Sequence, residues 1–245
     1  MILFTAGKKI GVWDVRSGRE IRSFFRDEQS YRSVAVSSDG QYLACGGFAN
    51  VVQIWDWRWG RLLHTFKHSN ESSGKSSKII AVAFYAHRHI LISLDNGGSL
   101  RCHNFLTGEL IASPIAQSSV AAIAVSPDQQ LLATAVDEGI KIWNLGTDTL
   151  IYTIPLHPDP YHKSVRVWCL AFSPDNRFVV AGLRSFKSEN NDNIRIWAVA
   201  NGEEQQSLPE PRNVTGLAFS SNGQTLISTN ADAAVHVWQA TDSQT

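Results

Sequence analysis

One short pattern recurs along this chain. Segments that place Trp after alternating apolar residues appear as IGVWDV (10–15), VQIWDW (52–57), IKIWNL (140–145), IRIWAV (194–199) and VHVWQA (235–240), with LRCHNF (100–105) as a Trp-less version. Trp13, Trp55, His103, Trp143, Trp197 and Trp238 follow one another at steps of 42, 48, 40, 54 and 41 residues. A unit of that size cannot bury its apolar side alone. It must stack on copies of itself, which restricts the chain to a repeat array.

Each repeat reads as four short strands. The first strands are YRSVAVSSDG (31–40), KIIAVAFYAH (78–87), VAAIAVSPDQ (120–129), VWCLAFSPDN (167–176) and VTGLAFSSNG (214–223). The second are QYLACGG (41–47), HILISLD (89–95), QLLATAVD (130–137), RFVVAGL (177–183) and QTLISTN (224–230). The Trp segments are the third strands, and RLLHTF (61–66), LIYTI (150–154) and EQQSL (204–208) begin fourth strands. Alternation with period two and β-branched enrichment make these strands. Ser-Pro-Asp, Asp-Gly and Asn-Gly between first and second strands supply the preset or positive φ of a tight hairpin. A second turn set follows the third strands at Ser17-Gly18, Trp59-Gly60, Thr107-Gly108, Gly146-Thr147 and Asn201-Gly202. No window carries the apolar stripe of an amphipathic helix.

Four strands per repeat is the pattern of a propeller blade. Together with the Trp13-Asp14 and Trp55-Asp56 dipeptides, it resembles the WD-repeat β-propeller family; Trp143-Asn144, Trp197-Ala198 and Trp238-Gln239 are degenerate forms. The Ser-Pro-Asp turns are similar in style to bacterial, especially cyanobacterial, members. The resemblance implies an all-β fold of about six blades in a single domain over 1–245, with blades near 1–25, 31–66, 78–113, 119–154, 165–208 and 213–240.

Two departures from the family stand out. The Gly-His dipeptide that often precedes a blade is absent. Asp137 and Asp232 lie six residues before a Trp, where the family places an acid that joins a buried His–Ser–Trp network; the blade around His103 has lost that acid. The expectation is that apolar packing and turns hold the blades, without the full polar network. The second departure is at the ends. With strands a to d in order, the chain reads b-c-d, four complete blades, then a-b-c. Three readings follow: a six-bladed ring imperfectly closed by 240–245, a fragment of a seven-bladed ring lacking about sixty residues upstream, or open edges that self-associate or pair with another chain.

Composition narrows the function. Lys+Arg and Asp+Glu are both 22, so the net charge is zero and the excess expected of a general nucleic-acid binder is missing. No stretch reaches the roughly 18 apolar residues of a membrane span, and no targeting signal is evident. Cys45, Cys102 and Cys169 sit in apolar runs without CxxC spacing and read as reduced thiols of a cytoplasmic protein.

Candidate site residues come from the loops. The d–a and b–c loops share one rim and carry the length variation, in 66–78, 154–164 and 183–193. Insertions gathered on one face of a repeat array mark a binding face. Around blade five these loops and adjoining strands bring Tyr161, His162, Arg166, Trp168, Arg184 and Phe186, the aromatic and Arg types that anchor interfaces. Trp59, in a c–d turn where other blades have Ser or Thr, is a candidate contact on the opposite rim; it or Trp57 packs on a neighbouring blade in the plainer reading. Trp168 faces the central channel or wedges between blades.

Catalytic motifs do not hold up. Ser73-Gly74-Lys75-Ser76 lacks the earlier Gly and the following helix of a phosphate loop. His157, Asp159 and His162 lack the helical spacing that aims two rings at one ion, and residues 189–192 lack the spaced oxygens of a calcium loop. The chain is therefore expected to be a non-enzymatic protein–protein interaction scaffold, with no cofactor, metal or nucleic acid. The alternative is a propeller enzyme or small-ligand binder with its site at the channel mouth, which calls for several acids or His on the first strands or their leading loops; the strands themselves read VAV, VAF, IAV, LAF and LAF.

Overall fold

The computed structural model describes residues 2–24, 30–48, 50–68, 78–85, 88–111, 120–156, 165–185, 193–210 and 213–240. These residues form strands and turns, with no α-helix among them. They fall into two compact units, Met1–Ser118 and Ser119–Thr245.

The first unit holds three antiparallel sheets. Blade one is β1 (Ile2–Ala6), β2 (Ile10–Asp14) and β3 (Arg19–Phe24). Blade two is β4 (Tyr31–Val36), β5 (Tyr42–Gly47), β6 (Val51–Asp56) and β7 (Arg61–Lys67). Blade three is β8 (Ile79–Tyr85), β9 (Ile90–Asp95), β10 (Leu100–Asn104) and the short β11 (Leu110–Ile111).

The second unit repeats the plan. Blade four is β12 (Ala122–Val125), β13 (Leu131–Val136), β14 (Gly139–Asn144) and β15 (Thr149–Pro155). Blade five is β16 (Val165–Phe172), β17 (Phe178–Ser185), β18 (Ile194–Ala198) and β19 (Glu204–Leu208). Blade six is β20 (Val214–Phe219), β21 (Thr225–Asn230) and β22 (Val235–Gln239). In every sheet, strands adjacent in sequence pair antiparallel. Among the described residues each sheet is an all-β, up-and-down blade of the kind the WD-repeat resemblance implies, with the expected b-c-d first blade and a-b-c last blade.

Alternation explains how blades stack. The second-strand residues opposite Trp55, His103, Trp143 and Trp197 face one way: Leu43, Leu91, Leu132 and Val179 are all fully buried. The intervening residues face the next blade. Ile54 and Val52 of blade two pack with Ile79, Val82 and Phe84 of blade three. Ile140 and Ile142 of blade four pack with Val167, Leu170 and Phe172 of blade five. Each buried aliphatic side chain contributes about 1.5–3 kcal/mol.

Four of the a–b hairpins share one device. The Ser37 hydroxyl donates to Asp39 Oδ1 at 2.5 Å and accepts the Tyr42 N–H at 2.9 Å, while Asp39 Oδ1 takes the Gln41 N–H at 2.9 Å. Ser126 with Asp128, Ser173 with Asp175, and Ser220 with Asn222 repeat it. A positive-φ residue completes each hairpin, and blade four places Gln129 there (φ 59°). In the c–d turn of blade four, Gly146 and Thr147 lie where expected, between β14 and β15. Asp148 takes the left-handed position (φ 56°) that Gly18 holds in blade one, because the turn is counted from the Trp.

Candidate interaction surface

The first strand of blade five departs from plain pairing. Arg166 pairs with Arg184 and Val167 with Leu183, then Cys169 pairs with Gly182. Trp168 is left over as a β-bulge. Such an extra residue re-aims its side chain out of the alternation. Trp168 is accordingly 40% exposed, and the Arg184 guanidinium lies 5.4 Å from its ring centroid. Gly182 makes the bulge fit, since a Cβ there would come within 2.5 Å of Cys169 Sγ and Val214 Cγ1. The same bulge recurs at Arg32, Ile80 and Thr215. Of these four bulges, that of blade five holds an aromatic ring.

The structure therefore brings Arg166, Trp168 and Arg184 together at the end of the β16–β17 pair. Arg166 is exposed and Arg184 is half-buried. Tyr161, His162 and Phe186 lie outside the described residues. So do the 157–162 and 189–192 segments weighed for metal binding.

Trp59 belongs to a separate surface on the c–d turn of blade two, where it is 83% exposed. Trp57 is the residue that packs on a neighbour. Its ring meets Phe4 of blade one edge-on at 5.2 Å, and its indole N–H donates to Gly40 O at 2.8 Å.

The polar network also needs correction. Trp13, Trp143 and Trp238 each donate an indole N–H at 2.9 Å to a second-strand hydroxyl, from Thr5, Thr134 and Ser228 respectively. Blade three, expected to lack the network, has a fuller one. His68 Nε2 lies 2.7 Å from Ser93 Oγ, and His68 Nδ1 lies 3.6 Å from Asp95 Oδ2. His103 takes the Trp place and stacks on Phe66 at 4.1 Å. His68 follows Lys67, not a Gly, so a search for Gly-His misses it. In blade six Glu210 occupies the corresponding link. It accepts from the Ser228 hydroxyl at 2.9 Å and from the Asn230 amide at 3.1 Å, and meets His236 Nδ1 at 2.7 Å. The buried partners are thus Asp95 and Asn230, each two residues after the Ser, while Asp137 and Asp232 are exposed.

Ser93, His68 and Asp95 have the order of a nucleophile, base and orienting acid. They do not work as one, because the side chains are sealed: Ser93 is 0% exposed and His68 and Asp95 1%. A nucleophile must reach a substrate carbonyl. Burial, and then the Arg101 charge, hold His68 down to about 4, so the ring is neutral at physiological pH and serves as a hydrogen-bonding strut. The thiols of Cys45 and Cys169 are pushed up to about 12 by burial, which removes thiolate reactivity.

The repeat signal is independently decisive. The family model for WD40 repeats (WD domain, G-beta repeat) matches residues 18–56, 108–144, 149–198 and 202–239, more than half of the chain. This chain belongs to the WD40-repeat family. The WD40 chain is similar to apoptotic protease-activating factor 1 of Homo sapiens, at 25% identity over 89% of this chain and 17% of that protein. It is similar to the U3 small nucleolar RNA-associated protein 21 homolog of Schizosaccharomyces pombe, at 27% identity over 86% of this chain and 22% of that protein. It also matches autophagy-related protein 16 of Arabidopsis thaliana, at 22% identity over 96% of this chain and 45% of that protein. The WD40 chain thus spans less than half the length of these relatives. Among solved structures, the computationally designed Ika8 protein aligns with a TM-score of 0.68 and 23% identity over 97% of this chain and 68% of that one, a likeness of fold. No helix among the described residues is long and apolar enough to cross a membrane.

Proposed function

We propose that this WD40 chain is a non-catalytic scaffold of the cytoplasm that holds other proteins through the loop-bearing end of blade five. The observation that carries the reading is the Trp168 bulge, an exposed aromatic ring stacked by Arg184 beside Arg166. An aromatic and Arg cluster on rigid backbone is what protein interfaces use as an anchor, because it contributes contact area with little conformational entropy to lose. The first strands β4, β8, β12, β16 and β20 contain no acid and no histidine, which supports a packing role for them over a catalytic one.

The test is affinity capture with the intact chain, repeated with Trp168→Ala and with Arg166→Glu. Partners that bind through this end are lost from both variants while the melting curves stay superimposable. Undiminished recovery with both variants overturns the assignment of this surface.

A further inference from the structure

The c–d turn of blade two presents an aromatic ring to water from a fixed base. Asp56 Oδ1 accepts the Trp59 N–H at 3.2 Å, and Gly60 N donates to Asp56 O at 2.9 Å. Trp57 ties the same turn to Gly40 and Phe4. Trp59 stands on this base at 83% exposure.

Positive charge surrounds the turn. Arg22 of blade one reaches it: a Cβ on Gly60 would meet Arg22 Nη1 at 2.3 Å. Arg58 lies 5.4 Å from the Trp57 ring centroid, and Arg61 opens β7. Arg16 and Arg19 sit on the matching turn of blade one, and all five guanidinium-bearing residues are exposed. None of the five has a carboxylate partner among the described residues. The acids of the same segments are already engaged. Asp14 takes the Ser17 N–H at 2.8 Å, Asp56 takes that of Trp59, and Glu20 pairs with Lys9 at 2.7 Å. The corresponding stretches of blades three to five carry Glu109, Asp148, Glu203 and Glu204 and no Arg. The basic character therefore belongs to this turn pair, not to the repeat.

We propose that this surface binds an acidic, extended peptide segment of another protein, with its carboxylates on Arg22, Arg58 and Arg61 and an apolar side chain against Trp59. Arginine forks match carboxylates in two-bond geometry. A nucleic acid fits less well: the net charge of the chain is zero and a single ring does not make a stacking track. The proposal shares the scaffold reading but uses a different unit of the chain, so the two surfaces fail separately.

The probe is a fluorescein-labelled peptide of glutamates around a central Leu-Phe pair, followed by anisotropy with the whole chain. Binding is expected to weaken with added salt. Trp59→Ser, which copies Ser17 of the blade-one turn, and Arg58→Glu with Arg61→Glu are each expected to weaken it by about tenfold or more. Trp168→Ala leaves it unchanged. The proposal is overturned if the peptide fails to bind at low salt, or if a lysine version binds equally. It is also overturned if a single-stranded oligonucleotide binds more tightly with no dependence on Trp59. Matching melting curves for the variants exclude loss of fold as the cause.

Discussion

Ser93 Oγ and His68 Nε2 are 2.7 Å apart inside blade three, and neither side chain reaches solvent. The pair joins the chain segment entering the blade to its second strand. A hydrogen bond in so dry a place is strong, and breaking one partner leaves the other unsatisfied.

This burial makes the fold acid-sensitive in a defined window. His68 and His103 are both held down to about 4 by burial and by the Arg101 charge, against 6.5 for a free ring. A histidine whose folded value is depressed takes up protons more readily when unfolded. Stability from these rings therefore falls as pH drops from 6.5 toward 4, and their contribution levels off below that. A shift of this size corresponds to about 3 kcal/mol for one ring. Urea midpoints measured from pH 7.5 to 4 should decline through that range, and less steeply in His68→Gln. A flat profile between pH 6.5 and 4 would rule the account out.

Glu210 organises blade six in the same way. Burial alone would raise its carboxyl, but bonds from Asn230, His236 and Ser228 outweigh this and hold it below the usual value. Glu210→Ala strands three polar partners and should cost about 2–4 kcal/mol, with Glu210→Gln costing about half as much. Chemical denaturation of the two variants separates these outcomes, and equal losses would show that charge and hydrogen bonding are not what Glu210 supplies.

Gly182 is the close contact that lets Trp168 bulge outward. Gly182→Ala sets a methyl 2.5 Å from both Cys169 Sγ and Val214 Cγ1. Crowding of this kind costs about 1–3 kcal/mol. A thermal midpoint unchanged from the parent chain would show that the β16–β17 pair yields freely.

Gln129 occupies a left-handed position at φ 59° where blades two and six have Gly40 and Gly223. A non-glycine residue there costs about 1–2 kcal/mol, part of which glycine returns through its unfolded-state freedom. Gln129→Gly should therefore raise stability by about 0.5–1 kcal/mol. A lower midpoint would mean that contacts of the Gln129 side chain outweigh the backbone strain.

Much of this architecture is legible in the chain itself. The spacing of Trp13, Trp55, His103, Trp143, Trp197 and Trp238, and period-two alternation, were enough for the blades, their strand order and the three strands described in the first and last sheets. Turn chemistry placed the hairpins. The buried network was harder to read. His68 lies 25 residues from Ser93, and Glu210 lies 18 from Ser228. Nothing in a fixed local spacing reveals that a loop histidine or glutamate will fold under the next blade.

The same division holds for the candidate surfaces. Local pattern determined that this is a stacked array of four-stranded blades, because alternation and turn propensity act over a few residues. Tertiary structure decided which tryptophan does what. Trp57 and Trp59 are two residues apart, yet one is tied to Gly40 and Phe4 while the other stands in water. Trp168 continues an apolar run, and only the slip in pairing between Val167 and Cys169 turns it outward. Burial depends on what the neighbouring strand and blade bring close, and that information is non-local.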